Sequence, residues 1–156
     1  DTKVSALAQL MEHEVSDPGA IYARDFLVAG GLLAGKAEGL GLSSAQQEML
    51  VRWLLDWTSD PESLLARVTS IEQAEDMLTK AGAWLSENSG EERYKLFSAI
   101  AHLCAVDGQI NDIEKGFLMS LADYLGIPES AANEKLFEAV RIYLDERAAR
   151  ERPEFL

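Results

Sequence analysis

The sequence has little cysteine, little proline and no long hydrophobic run, and these shortages narrow the class of protein. Its single cysteine, Cys104, leaves no internal disulfide and no cysteine-based zinc cluster. Cys104 stands in an apolar string, which predicts a buried, unreactive thiol. Four prolines and no Ser/Gly-rich tract suggest no interdomain linker, so we expect one domain over residues 1–156. The longest apolar run, residues 26–35, is shorter than the roughly 20 residues of a membrane-spanning helix, so direct membrane insertion is not expected.

Positive charge is also scarce. The chain has 14 basic and 27 acidic residues, which gives a net charge of −13. The electrostatic field of this negative charge repels the phosphate backbones of nucleic acids, so nucleic-acid binding is not expected. It attracts cations, or a basic surface on a protein partner, while a merely solubilising surface is the simpler alternative.

The pattern of apolar residues and helix-end signals predicts an all-α fold, a compact bundle of about seven to eight helices. No segment keeps the period of two that is typical of a strand. An amphipathic first helix is indicated by the spacing of Val4, Leu7, Leu10 and Met11. The other predicted helices cover residues 18–37, 44–57, 61–68, 70–88, 91–106, 112–125 and 128–150.

Two parts of the chain resemble each other. Residues 27–39 align with residues 96–108 at an offset of 69, which places Glu38-Gly39 on Asp107-Gly108. After one extra residue in the first copy the offset becomes 68, and Gln46 then aligns with Glu114. The shared order of helix, acid-Gly stop, capping residue and helix predicts two pseudo-symmetric repeats, over about residues 20–69 and 90–150.

The second copy combines Asp107-Gly108, an apolar residue two positions after the glycine, Glu114 seven positions after the aspartate, and a closing Leu125-Gly126. This pattern resembles that of the TerB family of tellurite-resistance proteins. The resemblance implies an all-helical, non-enzymatic protein of bacterial tellurite and metal-stress systems that binds metal through acidic residues. It also implies a cytoplasmic location, peripheral to the inner membrane through a membrane-embedded protein partner with a basic cytoplasmic surface.

The resemblance implies metal ligands in the acidic loops between helices. Asp107 and Glu114 match the acidic pair of the family, Asp112 lies between them, and Glu38 keeps the acid of the first copy. There Gln46 replaces the expected glutamate. Crowded carboxylates repel one another, and a hard cation such as Ca²⁺ or Mg²⁺, rather than Zn²⁺, would relieve that repulsion.

The same residues also permit an explanation without metal. Asn111 followed three residues later by Glu114 forms a capping box, and Asp112 suits the positive end of the helix dipole. The loop is not an EF-hand, because Asp112 takes the place of the required glycine and Leu118 that of the bidentate glutamate. A metal-independent adaptor that binds a partner through an acidic surface is therefore the alternative function.

Other motifs give weaker indications. Residues 30–37 come within one residue of a nucleotide-binding P-loop, but Ala37 replaces the required hydroxyl and the stretch is predicted to be helical, so no nucleotide is expected. His13 is predicted to be solvated and His102 to lie at the core boundary, without a catalytic motif around either. The large aromatic residues most simply supply core, with a partner groove as the alternative: Trp53, Trp57, Trp84, Phe97 and Phe117.

Overall fold

The computed structural model describes residues 18–37, 42–106 and 110–151, and all the regular secondary structure in these ranges is helical. The helix predicted around Val4 lies outside the described residues. None of the described helices is long and apolar enough to cross a membrane. In chain order the helices are α1 Pro18–Ala37, α2 Ser44–Leu54, α3 Pro61–Ala66, α4 Ile71–Asn88, α5 Glu91–Ala105, α6 Asp112–Leu125 and α7 Glu129–Glu151.

Most helices begin and end within a residue or two of the predicted positions, but α2 ends at Leu54 and not near residue 57 as predicted. The side chain of Asp60 accepts a hydrogen bond from the Ser63 N–H at 3.2 Å, and that of Ser70 accepts one from the Gln73 N–H at 3.1 Å. These bonds satisfy donors that the first turn of a helix leaves without a helical partner. Gly126 ends α6 in the left-handed conformation, with a φ of 68°, which glycine adopts without steric cost.

Helix α1 lies at the centre of the bundle and packs against α2, α4, α5 and α6. Phe26 of α1 and Phe97 and Ile100 of α5 are fully buried in the core. Burying a side chain of this size contributes about 1.5–3 kcal/mol relative to leaving it exposed. The prediction of an all-α bundle is therefore confirmed.

Small residues in α1 allow its neighbours to approach closely. A Cβ atom added at Gly30 would lie 3.2 Å from Cδ1 of Ile100, and one at Gly31 would lie 2.6 Å from Cδ2 of Leu50. The first contact is with α5 and the second with α2. The stretch that resembles a P-loop is thus helical, as predicted, and Gly30 and Gly31 serve helix packing.

The tryptophans are packed against the core, as predicted, although each remains partly accessible. Trp53, Trp57 and Trp84 are half-buried against it. The ring of Trp84 stacks on that of Tyr22, with 5.0 Å between centroids. This stacking joins α4 to the beginning of α1.

Candidate functional site

The predicted capping box at the beginning of α6 is present. The Asn111 side chain accepts a hydrogen bond from the Glu114 N–H through Oδ1 at 2.8 Å, and Oε1 of Glu114 accepts one from the Asn111 N–H at 3.0 Å. Each side chain thereby satisfies a backbone donor at the end of the helix. The geometry of Asn111 and Glu114 is explained by this capping function.

A second capping box begins α2, at the position that the proposed repeat makes equivalent. The Ser43 hydroxyl accepts from the Gln46 N–H at 3.2 Å, and Oε1 of Gln46 accepts from the Ser43 N–H at 2.9 Å. Gln46 is 3% exposed and Glu114 is 2% exposed. The two boxes therefore differ in one chemical respect, because one buries a neutral amide and the other a carboxyl group.

The amide of Gln46 has a further use that a carboxylate could not fulfil. Its Nε2 donates a hydrogen bond to the backbone carbonyl of Leu103 at 3.1 Å. Leu103 lies in the last turn of α5, where carbonyl groups have no partner within the helix. An ionised glutamate has no donor for this bond. The bond gives the amide of Gln46 a role beyond capping and fixes α2 to the end of α5.

Capping does not explain the carboxyl group of Glu114. A capping box needs only an acceptor oxygen from its third helical residue, and Gln46 shows that an amide supplies it. Moving a charged carboxylate out of water costs far more than moving an amide, and buried charges in proteins are usually paired or coordinate a metal. The capping box alone therefore does not require a carboxyl group at this buried position.

The predicted metal ligands are only partly placed. Asp107 and Glu38 lie outside the described residues. Asp112 is the first residue of α6 and is exposed, whereas Glu114 is buried. Within the three described ranges no three His, Cys, Asp or Glu side chains form a group that could hold a metal ion. The metal site stays a prediction, and it depends on the two acidic residues that are not described.

Two other residues singled out from the sequence have the expected environments. Cys104 is fully buried, which confirms that its thiol lies in the core. His102 is half-buried, and its ring meets that of Tyr143 edge-on with 5.6 Å between centroids. His13 lies outside the described residues.

Sequence reasoning missed the link between Gln46 and Leu103. Its only sign in the sequence is an amide at a third helical position where a glutamate was expected. The acceptor lies 57 residues away, in a backbone carbonyl that no side-chain pattern reveals.

Comparisons with known proteins returned no matching family model, no matching curated protein and no matching solved structure. The function proposed below therefore depends on the residue pattern and on the geometry of the capping boxes.

Proposed function

We propose that this chain is a non-enzymatic, cation-binding or metal-sensing component of a bacterial tellurite or metal-stress response system. Its ligands would be Asp107, Asp112, Glu114 and Glu38, with Ca²⁺ or Mg²⁺ favoured over Zn²⁺. The observation that carries the proposal is the buried Glu114, which stands where the other capping box has the neutral Gln46. The protein would act in the cytoplasm, beside a membrane-embedded partner.

The available chemistry favours a hard cation. Carboxylate oxygens are the ligands that Ca²⁺ and Mg²⁺ prefer, and a net charge of −13 raises the local concentration of cations. The buried thiol of Cys104 is the chain's only sulfhydryl, so softer metals gain no thiolate cluster.

We expect the affinity of the proposed site for its cation to be low. Glu114 lies in the first turn of α6, where the helix dipole is positive and opposes a cation. Ligand charge count and site rigidity tune Ca²⁺ affinity, and we expect a dissociation constant at the weak end of the known range, about 10⁻⁴–10⁻³ M.

Calorimetric titration of EDTA-treated protein with Ca²⁺, Mg²⁺, Mn²⁺ and Zn²⁺ tests this function. We expect Ca²⁺ or Mg²⁺ to bind, and Glu114→Gln to abolish binding while the capping box is kept. Asp123→Asn is the matched control, because it removes one exposed carboxylate from the same helix. Unchanged binding by the Glu114→Gln protein would contradict the assignment.

One observation favours the alternative, a metal-independent adaptor. Helix α7 exposes Phe137 by 70% and Leu144 by 47%, seven residues apart and therefore on the same helix face. The exposed Glu134 and Glu138 lie beside Phe137 in the sequence. An apolar stripe next to acidic groups suits a partner that is apolar and basic.

The adaptor makes a distinct prediction. A synthetic amphipathic helix of Lys and Leu should bind the protein equally well with and without EDTA, and Phe137→Ser with Leu144→Ser should weaken that binding. An unchanged affinity in the double variant would exclude this face of α7 as the docking surface.

A further inference from the structure

A groove of about 660 Å³ lies where α2 and α7 flank α5. We name it the basic-aromatic groove and define it by Trp53 of α2, Tyr94, Lys95 and His102 of α5, and Lys135 of α7. Its volume falls within the range of about 300–1,000 Å³ that is typical of sites for small molecules. It shares no residue with the acidic loops.

The sequence of α5 builds one wall of the groove. Its polar residues recur at intervals of four, three and four, which places them on one face of a helix. These residues are Glu91, Lys95, Ser98 and His102, and all four line the groove. The wall therefore offers one carboxylate, one cation and two hydrogen-bonding groups along a single stripe.

At the His102 end of the groove, side-chain contacts connect the helices on its two sides. The ring of His102 contacts Tyr143 of α7, and the Tyr143 hydroxyl lies 3.9 Å from Sδ of Met49 in α2. These contacts connect α2, α5 and α7 at one level. A ligand would therefore meet walls that are already in place, which lowers the ordering cost of binding.

Electrostatics distinguish the groove from the rest of the molecule. Two lysines line it against one acid, Glu91, in a chain whose net charge is −13. Lys135 reaches Glu138 only at 3.9 Å, with both side chains accessible, so this ion pair contributes little. Lys95 forms no ion pair with any residue that the structure describes. Both ammonium groups are therefore available to an anion from outside.

We propose that the basic-aromatic groove binds a small organic anion. Its carboxylate or phosphate pairs with Lys95 and Lys135, and its flat apolar body lies against Trp53 and Tyr94. The anion is small because the acidic remainder of the protein repels extended polyanions. This binding does not depend on the cation site.

Three probes test the proposal by amide NMR on the whole chain: 4-phenylbutyrate, phenyl phosphate and the neutral 4-phenylbutanol. We expect at least one anion to shift the amide signals of Tyr94, His102 and Lys135. The alcohol should bind at least about fivefold more weakly than that anion, because it cannot form the ion pairs. A preference between the two anions tells whether the groove takes a carboxylate or a phosphate.

Variants separate charge from apolar contact. Lys95→Gln with Lys135→Gln should weaken the anion about fivefold or more, to the level of the alcohol. Lys80→Gln is the matched control, since Lys80 is an accessible lysine on α4 that pairs with Asp76 at 3.0 Å. The Lys80→Gln protein should bind the anion with unchanged affinity.

Three results would overturn the proposal. The first is equal affinity of anions and alcohol for the unaltered protein, which needs no variant to observe. The second is unchanged anion binding in the double lysine variant. The third is a set of shifted amides that lies outside the groove.

Discussion

Glu114 offers a substitution pair that isolates the stability contributed by its capping box. Gln and Ala at this position both remove the charge, so the cost of burying a carboxylate disappears from the difference between them. Gln keeps the oxygen that accepts from the Asn111 N–H at 3.0 Å, as Gln46 does in α2. Ala loses that hydrogen bond, together with one buried methylene group and the amide.

The magnitude follows from those two losses. An intramolecular hydrogen bond contributes about 0.5–1.5 kcal/mol net. Each buried methylene contributes about 0.8 kcal/mol. The Glu114→Ala protein should therefore be less stable than the Glu114→Gln protein by about 1–2 kcal/mol.

Urea unfolding followed by circular dichroism at 222 nm, in the presence of EDTA, measures this difference. Two-state curves with equal m-values permit the comparison. Equal stability of the two variants would refute the reasoning, because the capping box would then contribute nothing. A large loss in the Gln variant alone would mean that the charge itself holds the fold together.

Two further predictions concern single positions. Gln46→Glu should cost about 1–3 kcal/mol in urea unfolding at neutral pH, because the buried carbonyl of Leu103 loses its donor. Gly126→Ala should cost about 1–2 kcal/mol, because residue 126 has a φ of 68° and the added Cβ would lie 2.8 Å from Oγ of Ser86. Gly116→Ala should instead stabilise the protein by about 0.5–1 kcal/mol, since that glycine is inside α6 with open space around it. Thermal unfolding of both glycine variants tests these predictions, and a higher midpoint for Gly126→Ala or a lower one for Gly116→Ala would contradict them.

The helix boundaries could be predicted because their causes are local. Asp60, Ser70 and Asn111 each bond to a backbone N–H three residues away, so a short stretch of sequence contains both partners. Gly126 likewise ends α6 through its own backbone conformation. Such contacts leave a readable pattern in the chain.

The link between α2 and α5 and the basic-aromatic groove could not be predicted in the same way. Gln46 meets Leu103 across 57 residues, and Trp53, Lys95 and Lys135 come together only through the packing of three helices. Sequence periodicity tells which face of a helix is apolar but not which helix covers it. In the acidic loop, the capping box was predicted and is confirmed, whereas the metal site remains a prediction.

Thermal unfolding of EDTA-stripped protein, with and without millimolar Ca²⁺, Mg²⁺, Mn²⁺ or Zn²⁺, tests the proposed cation site most directly. An ion at about 10 mM, roughly ten to 100 times the expected dissociation constant, should stabilise the protein by about 1.4–2.7 kcal/mol. For a domain of this size that raises the midpoint by about 3–10 °C. We expect Ca²⁺ or Mg²⁺ to produce this rise, and Asp107→Asn with Glu114→Gln to remove it. No rise with any ion, or the same rise in the double variant, would contradict the cation site and leave the adaptor function.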